Sequence, residues 1–318
     1  MKKRILILGG SLFVGRVFTI LASRTEEYEL HVVNRGHYPL NLEGVAEYKC
    51  DRHSPRRMTR LLPEDIVFDA AIDFCAYDAG DIEPILSALG DRIRHYIYFS
   101  TASVYDPSRR KIKTEGDPLM PVAPHFPERI VPSFPEPSSS DEAYIRGKIL
   151  LERELAATAG ALGIPYTILR PSFIYGPLNY APRESYFVEM IARRHVVPVP
   201  TDATASFNFV YVKDVAAALM TIIGAARAAN EVFNLAAPER VTYMRLIGDF
   251  ERFNGGSFET REVTVEEAER EHLPLPFPLT EDDLTSGERF AKTFSFRYTP
   301  FLDGMEATFK AFYSLFVS

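Results

Sequence analysis

Two residues four positions apart offer the clearest chemistry in this sequence. Tyr144 and Lys148 lie within Asp141–Leu162, whose pattern predicts a long helix. Side chains at this spacing project from one helix face, which would place the lysine ammonium beside the phenol. A nearby cation favours the phenolate and lowers a phenol pKa that is ordinarily about 10. Such a phenol can exchange a proton with a substrate hydroxyl or carbonyl, although the same spacing also occurs as a plain helix surface pair.

A glycine-rich turn near the start of the chain offers a second chemistry, the binding of anions. The apolar run Ile5–Leu8 leads into Gly9-Gly10-Ser11-Leu12-Phe13-Val14-Gly15, which predicts a strand, a tight turn and the start of a helix. Glycines permit positive φ and let backbone N–H groups approach a pyrophosphate, and the helix N-terminus adds partial positive charge. Strand-to-helix turns also carry glycine for steric reasons alone.

The residues after the second predicted strand bear on the choice of dinucleotide. In NAD-selective sites an acidic residue here takes the ribose hydroxyls, whereas a nearby arginine accommodates a 2′-phosphate. This chain has the uncharged Asn34 followed by Arg35. We therefore expect NAD(P) as the cofactor, with a mild preference for NADP(H). The alternative is that Arg35 is a solvated turn residue.

The elements that must position these residues alternate through the first half of the chain. Predicted strands are Arg4–Leu8, Glu29–Val33, Glu47–Cys50, Phe68–Asp73 and His95–Phe99, followed later by Tyr166–Arg170, Ser206–Val212 and Val232–Leu235. Predicted helices are Phe13–Arg24, Pro55–Leu62, Ala79–Leu89, Asp141–Leu162, Asp214–Ala229 and Leu302–Phe316. Strands spaced by helices predict an α/β fold: a Rossmann-type doubly wound parallel sheet with a smaller C-terminal α/β substrate domain.

We predict two domains. Residues 1–175 plus about 206–237 form the NAD(P)-binding Rossmann domain, and about 176–205 plus 238–318 form a substrate-binding cap. The proline-rich stretch Asp106–Ser140 is predicted to be a long loop that covers the substrate.

Composition narrows the function classes. Lys and Arg number 36 against 43 Asp and Glu, so the net charge of −7 makes nucleic acid an unlikely partner. Cys50 and Cys75 form neither a disulfide framework nor a zinc-ligand spacing, and we expect no metal site. The basic start Met1–Arg4 is followed by too short an apolar run for a signal peptide, and no apolar run of about 18 residues predicts a membrane span. We expect a cytoplasmic protein with a small-molecule substrate.

Further motifs appear in an order that points to one family. They are His95–Tyr105, which ends in the hydroxyl cluster Ser100-Thr101-Ala102-Ser103, then Leu169-Arg170-Pro171-Ser172-Phe173-Ile174-Tyr175-Gly176-Pro177, and Phe209-Val210-Tyr211-Val212-Lys213-Asp214-Val215. With the glycine turn and the Tyr144/Lys148 pair, they resemble the extended short-chain dehydrogenase/reductases, the NAD-dependent epimerase/dehydratase family, from residue 4 to about 240. The glycine turn, Asn34-Arg35-Gly36 and Cys50-Asp51-Arg52 are most similar to an atypical branch, which includes bacterial reductase-like proteins and chloroplast stem-loop RNA-binding proteins.

The resemblance implies a role for individual residues. Tyr144, Lys148 and Thr101 would be catalytic, with Thr101 orienting the substrate oxygen while the nicotinamide exchanges a hydride. The implied cofactor contacts are Gly9, Gly10, Ser11, Leu12, Phe13, Val14, Gly15, Asn34, Arg35, Asp51, Arg52, Cys75, Ala76, Tyr77, Ser100, Pro171 and Phe173. The implied substrate contacts are Ser103, Arg183 and Phe207. A nucleophilic role for Cys75 lacks a histidine to activate the thiol, so a buried structural thiol is the preferred interpretation.

Three positions depart from the family pattern. Leu12 replaces the middle glycine of the turn, where a side chain would crowd the pyrophosphate. Phe173 stands where nucleotide-sugar epimerases have an asparagine, and Phe207 stands where they have a diphosphate-binding arginine. Because this chain lacks both the asparagine amide and the arginine charge, we expect weaker binding of a substrate pyrophosphate. The pocket then suits a less anionic substrate, or Arg183 supplies the missing charge, or both phenylalanines simply pack in the core.

The expected function is that of an NAD(P)-dependent oxidoreductase or epimerase acting on a secondary alcohol or ketone of a sugar or nucleotide sugar. The alternative is a non-catalytic dinucleotide-bound regulatory or RNA-binding protein. Its support is the basic clusters Arg56-Arg57-Met58-Thr59-Arg60 and Arg109-Arg110-Lys111. The resemblance also makes a homodimer possible.

Overall fold

The computed structural model describes residues 2–108, 112–122 and 140–317. Most of the stretch Asp106–Ser140, together with the cluster Arg109-Arg110-Lys111, lies outside the described residues. The chain divides into two compact units. The first holds the described residues of 1–108, 115–171 and 215–234, and the second holds those of 109–114, 172–214 and 235–318. The second unit therefore takes in Phe173 and residues 206–214, which the predicted boundaries assigned to the first domain.

The described residues form eleven strands and ten α-helices. The strands are β1 (Lys3–Leu8), β2 (Tyr28–Asn34), β3 (Val45–Lys49), β4 (Ala70–Asp73), β5 (Tyr96–Phe99), β6 (Tyr166–Pro171), β7 (Phe173–Tyr175), β8 (Val197–Pro200), β9 (Phe209–Tyr211), β10 (Glu231–Leu235) and β11 (Thr260–Val263). The helices are α1 (Phe13–Ser23), α2 (Pro55–Leu61), α3 (Glu83–Leu89), α4 (Ser140–Leu162), α5 (Glu184–Ala192), α6 (Val212–Ile222), α7 (Tyr243–Asn254), α8 (Val265–Arg270), α9 (Glu288–Phe294) and α10 (Phe301–Val317).

A seven-stranded sheet forms the centre of the first unit, in the order β10-β6-β5-β4-β1-β2-β3. The pairings from β6 to β3 are all parallel. The strand order reverses between β1 and β4, and in such sheets ligands bind at this point, outside the carboxyl ends of the strands. The predicted Rossmann-type fold is confirmed. Residues Ile5–Leu8 of β1 are at most 1% exposed, because helices cover both faces of a parallel sheet.

The glycine turn after β1 takes the conformation that its sequence predicts. Gly9 and Gly10 have φ of 94° and 73°, in the left-handed region that favours glycine. A Cβ on Gly15 would lie 2.6 Å from the Cα of Gly10, so this glycine allows α1 to begin directly against the turn. The turn thereby delivers the start of α1 to the carboxyl end of β1.

The predicted start of α3 at Ala79 is wrong, because Asp81 holds the preceding residues in a turn. Its carboxylate accepts hydrogen bonds from the N–H groups of Tyr77 (2.9 Å) and Asp78 (3.2 Å). The helix begins at Glu83. Its N-terminus is capped from α4 by the carboxylate of Glu154, which accepts from the N–H groups of Gly80, Ile82 and Glu83.

Other boundaries also differ from the prediction. The helix expected over Asp214–Ala229 begins at Val212 and ends at Ile222, and Gly224 follows with φ of 74°, a conformation that ends helices. β4 begins at Ala70 rather than Phe68, because Phe68 forms an isolated bridge to Ile93.

The second unit is built on two short parallel pairs, β7 with β9 and β8 with β11. Its core is aromatic. The rings of Phe173, Phe207, Phe209, Phe277 and Tyr243 contact one another with centroid separations of 5.0 to 6.3 Å. Helix α5 and strand β8 were not predicted, because both are short and their apolar residues follow no clear period.

In the part of the chain that the structure describes, no helix is both long enough and apolar enough to cross a membrane.

A close backbone approach fixes α4 in the first unit. Gly147 lies so near the loop after β4 that a Cβ on it would come within 2.2 Å of the carbonyl oxygen of Tyr77. Only a glycine fits there without moving the backbone. Gly160, on the same helix, has open space where its Cβ would be.

We expect Gly147→Ala to destabilise the protein by about 1–3 kcal/mol, because the added methyl group overpacks against a backbone carbonyl. Gly160→Ala is the matched control, and should stabilise the protein by up to about 1 kcal/mol because alanine favours helix. Urea unfolding of both variants measures the difference. Equal effects on the free energy of unfolding would show that Gly147 is not a tight contact.

Candidate active site

The amino group of Lys148 is the centre of the site. Its side chain is 2% exposed, and Nζ donates hydrogen bonds to the carbonyl oxygens of Ala76 and Phe99, each at 2.9 Å. These carbonyls follow β4 and end β5, so the ammonium of an α4 residue sits at the carboxyl edge of the sheet. Burial lowers the pKa of Lys148 to about 8, even though the carboxylate of Asp73 acts in the opposite direction.

Tyr144 lies one helical turn before Lys148 and is 40% exposed. The Nζ of Lys148 is 5.6 Å from the centroid of its ring. The predicted juxtaposition of phenol and ammonium is therefore present in the structure, with the phenol on the exposed side and the lysine buried. This arrangement places a solvent-accessible phenol beside a buried ammonium, whose positive charge favours the phenolate.

Thr101 and Ser103 form a small hydroxyl cluster just after β5. The Oγ1 of Thr101 accepts from the N–H of Ser103 and donates to its Oγ, both at 3.2 Å. Thr101 is half-buried and Ser103 is exposed. Both hydroxyls are on the same edge of the sheet as Phe99, whose carbonyl receives Lys148.

Ser100, by contrast, is directed into the interior. Its hydroxyl donates to the carboxylate of Glu152 at 2.6 Å, and Arg170 makes two hydrogen bonds to the same carboxylate. All three side chains are buried. Ser100 therefore stabilises a buried ion pair and its side chain is not among the exposed groups of the site.

The start of α1 has the features of an anion-binding helix terminus. Its N-cap residue is Leu12, whose side chain cannot accept a hydrogen bond from the first-turn N–H groups. Leu12 is 47% exposed, whereas Phe13 is half-buried and Val14 is buried. The N-cap side chain thus leaves the first-turn N–H groups uncapped, and the positive φ of Gly9 and Gly10 gives the tight turn that precedes them.

The end of β2 is held by an acidic neighbour. The amide of Asn34 donates to the carboxylate of Glu47 at 2.6 Å and accepts from the N–H of Gly36 at 2.7 Å. Arg35 is exposed beside it. Asn34 thus shapes the turn that presents Arg35, and Glu47 brings a carboxylate to this edge, which the sequence alone did not indicate.

Arg52 has internal partners rather than an exposed position. Its guanidinium makes two hydrogen bonds to the carboxylate of Asp73, at 2.8 and 2.9 Å, and a third to the carbonyl oxygen of Asp81. Asp73 is fully buried and also accepts from the hydroxyl of Tyr96 and the N–H of Cys75. Burial acts to raise the pKa of Asp73, but the charge of Arg52 and the hydrogen bonds from Arg52, Tyr96 and Cys75 together lower it.

The neighbouring positions divide between surface and interior. Asp51 is exposed, and its carboxylate accepts from the N–H of His53 at 2.9 Å. Burial raises the pKa of the Cys75 thiol to about 12, which is consistent with a structural thiol rather than a nucleophile. Ala76 is buried and Tyr77 is 47% exposed.

Of the predicted substrate residues, Arg183 and Phe207 lie in the second unit and Ser103 lies in the first; Phe173, predicted as a cofactor contact, also lies in the second unit. Phe207 is fully buried in the aromatic core and Phe173 is half-buried against it. The guanidinium of Arg183 lies 5.5 Å from the ring centroid of Phe173. Phe207 therefore packs in the core, and Phe173 packs between it and the guanidinium of Arg183. Pro171 ends β6 and is buried in the first unit.

With this geometry in place, similarity to known proteins decides the family. Residues 5–236 match the family model described as "NAD dependent epimerase/dehydratase family". The chain belongs to this family. The predicted family is confirmed, and the family's description names NAD as its cofactor.

Relatives within the family are distant. The chloroplast stem-loop binding protein of 41 kDa b from Arabidopsis thaliana is 28% identical over 256 residues, which cover 76% of this chain and 61% of that protein. The human dTDP-D-glucose 4,6-dehydratase is 22% identical over 273 residues, which cover 77% of this chain and 72% of that protein. The chain thus spans about three-fifths of the length of the stem-loop binding protein.

Solved structures of UDP-sugar epimerases share the fold of this chain. The UDP-glucuronic acid 4-epimerase of Bacillus cereus, in complex with NAD, has a TM-score of 0.76 at 16% identity, with 98% of this chain and 99% of that chain covered. The UDP-N-acetylglucosamine 4-epimerase of Methanobrevibacter ruminantium has a TM-score of 0.77 at 17% identity, with 99% and 100% covered. At such identities the likeness establishes the fold alone.

Sequence reasoning missed two buried acids that organise this family member's site, Asp73 and Asp81. Asp73 ends an otherwise apolar strand, and Asp81 follows the loop after it. A buried carboxylate needs a hydrogen-bonded or charged partner. The charge of Asp73 at the end of a buried strand was therefore a usable signal that a cation, here Arg52, must be brought inside.

We expect Asp73→Asn to destabilise the protein by about 3–5 kcal/mol, because it leaves the buried guanidinium of Arg52 without its counter-charge. Glu288→Gln is the matched control, since it removes a carboxylate from the exposed 2.7 Å pair with Lys292 and should cost nothing measurable. Thermal and urea unfolding measure the stability of both variants against the unmodified protein. A loss no larger than that of the control would mean that the buried pair does not stabilise this edge of the sheet.

Proposed function

We propose that the protein is an NAD(P)-dependent oxidoreductase or epimerase that acts on a secondary alcohol or ketone of a sugar or nucleotide sugar. The observation that carries this proposal is the buried ammonium of Lys148, held by two carbonyl oxygens at 2.9 Å beside the exposed phenol of Tyr144. Membership of the family supports the same class of reaction. A surface pair of tyrosine and lysine would not need such burial.

Each of the three catalytic residues has one task in this proposal. The bound nicotinamide supplies or accepts a hydride. Tyr144 takes the proton from the substrate hydroxyl, or returns one to the carbonyl oxygen. Lys148 favours the phenolate through its charge, and the hydroxyl of Thr101 exchanges its bond to Ser103 for one to the substrate oxygen, which it orients.

The dinucleotide would be held mainly by backbone groups. The turn from Gly9 to Gly15 and the start of α1 would receive the pyrophosphate, and the segment from Cys75 to Tyr77 would line the ribose. Arg35 is exposed next to the uncharged Asn34, which supports a mild preference for a 2′-phosphate. Arg52 is not part of this proposal, because its guanidinium is buried and bonded to the carboxylate of Asp73 and the carbonyl oxygen of Asp81.

A sugar or nucleotide sugar is the proposed substrate class. The names of similar structures include UDP-sugar epimerases, and their folds cover nearly all of this chain. Arg183 is the proposed phosphate contact in the second unit, because its guanidinium can bind a phosphate and lies 5.5 Å from the ring centroid of the uncharged Phe173. Phe207, being fully buried, is assigned to packing.

We expect NADPH to bind more tightly than NADH, by about tenfold or ~1.4 kcal/mol, because Arg35 can pair with the 2′-phosphate. Fluorescence titration of the protein, after removal and identification of any co-purified nucleotide, measures both affinities. Arg35→Ala should weaken NADPH binding selectively, whereas Arg92→Ala, remote from the turn, should not. Tighter binding of NADH would contradict the role of Arg35, and would indicate that the carboxylate of Glu47 beside Asn34 disfavours the 2′-phosphate.

We expect Tyr144→Phe to reduce turnover by a factor of at least about 100 while leaving dinucleotide affinity intact, because only the transferable proton is removed. Turnover is followed by NMR detection of epimerised products from a panel of UDP-sugars, and by nicotinamide absorbance with ketones. Tyr313→Phe on α10 is the matched control and should retain full turnover. Retained turnover in Tyr144→Phe would refute the mechanism.

RNA binding is a second candidate function. It is favoured by the name of the Arabidopsis relative and by Arg56, Arg57 and Arg60, all exposed on α2. The net charge of −7 opposes it. A gel shift with structured RNA at low and moderate salt separates the candidates, since no shift at low salt excludes this function.

A further inference from the structure

Lys148 is surrounded by more aromatic surface than the catalytic tyrosine provides. Its Nζ lies 4.8 Å from the ring centroid of Tyr77, 5.0 Å from that of Tyr98 and 5.6 Å from that of Tyr144. The nearest of the three rings is therefore that of Tyr77. Tyr98 is fully buried, whereas Tyr77 is 47% exposed and covers the lysine from the solvent side.

The position of Tyr77 is fixed by its backbone. Its N–H donates to the buried carboxylate of Asp81 at 2.9 Å, and its carbonyl oxygen packs against Gly147 so closely that a Cβ would not fit. The preceding carbonyl, that of Ala76, accepts from Lys148 itself. These three backbone contacts fix the exposed ring of Tyr77 in its position beside Lys148.

The electrostatics of the site explain why such a ring is needed. Burial disfavours the charged form of Lys148. The groups that face the ammonium are Asp73, Cys75 and Tyr77 around the loop after β4, Tyr98 on β5, Tyr144 and Glu152 on α4, and Arg52. The carbonyl oxygens of Ala76 and Phe99 bond the ammonium directly, the charge of Asp73 is offset in part by that of Arg52, and the faces of the aromatic rings add further negative potential at 4.8 to 5.6 Å.

We propose that Tyr77 is a positioning residue whose aromatic face keeps the ammonium of Lys148 charged. The proposal rests on the proposed function only for its effect on turnover. The charged ammonium favours the phenolate of Tyr144, so a loss of charge on Lys148 lowers the activity at alkaline pH. The ring, not the hydroxyl, performs this role, because it is the ring face that meets Nζ.

Two substitutions separate the aromatic face from other properties of Tyr77. Tyr77→Phe keeps the ring and removes the hydroxyl. Tyr77→Leu keeps an apolar cover over Lys148 and removes the ring. Loss of an attraction to the charged form lowers the pKa of a lysine, so in the leucine variant we expect the pKa of Lys148 to fall by about one unit, a tenfold shift in its protonation equilibrium.

The measurement is a pH titration of the Lys148 side chain by NMR in protein carrying ¹³C-labelled lysine, with the signal assigned from Lys148→Arg. Tyr77→Phe should titrate as the unmodified protein does, and Tyr77→Leu should titrate at lower pH. An unchanged or raised pKa in Tyr77→Leu overturns the proposal, and a raised value would show that the ring acts as a cover that keeps water out. Thermal unfolding confirms that both variants are folded.

A second readout ties the result to the reaction. The alkaline limb of the kcat profile of Tyr77→Leu, scaled to its own maximum, should move to lower pH by the same amount as the Lys148 titration. If the unmodified protein turns over no substrate, the proposed function fails while the NMR titration still decides the role of Tyr77. If the titration shifts and the kcat profile does not, the aromatic face acts on Lys148 but Lys148 does not act on the reaction.

Discussion

Two hydrogen bonds from one ammonium connect the parts of the candidate site. The Nζ of Lys148 binds the carbonyl oxygen of Ala76 after β4 and that of Phe99 at the end of β5. The helix that carries Tyr144 is thereby fixed to the edge of the sheet where parallel strands end and where the strand order reverses. Helix α4 can lie this close to the edge because Gly147 has no Cβ to collide with the backbone. The position of the phenol therefore depends on a lysine and a glycine that are neighbours in the sequence.

The first unit buries two cations at this edge and stabilises them differently. Arg52 has a full counter-charge in Asp73, so it remains charged at every pH at which the protein folds. Lys148 has only carbonyl oxygens and aromatic rings as its nearest partners, and its pKa falls to about 8. One cation is thus a permanent part of the scaffold, while the other has a charge that its surroundings can adjust.

Much of the fold and the juxtaposition of Tyr144 with Lys148 could be predicted from the sequence, because their signals are local. Strand β1 and the glycine turn were predictable because apolar runs and positive-φ glycines are local signals. The juxtaposition of Tyr144 and Lys148 was predictable from helix geometry. The pairing of Arg52 with Asp73 was not, since the turn after β3 and the end of β4 meet only in the folded protein. The same limit concealed Glu47 beside Asn34 and the ring of Tyr77 over Lys148.

The buried pair of Arg52 and Asp73 also constrains how this sequence can change over evolutionary time. The two residues are 21 positions apart in the chain, yet replacement of either one leaves the other as a buried charge without a counter-charge. The pair can therefore be lost in evolution only if both residues are substituted nearly together, or if an intermediate protein of lower stability survives. Within the family, we expect an arginine at the first position to be inherited with an acid at the second, and chains that lack one to lack the other.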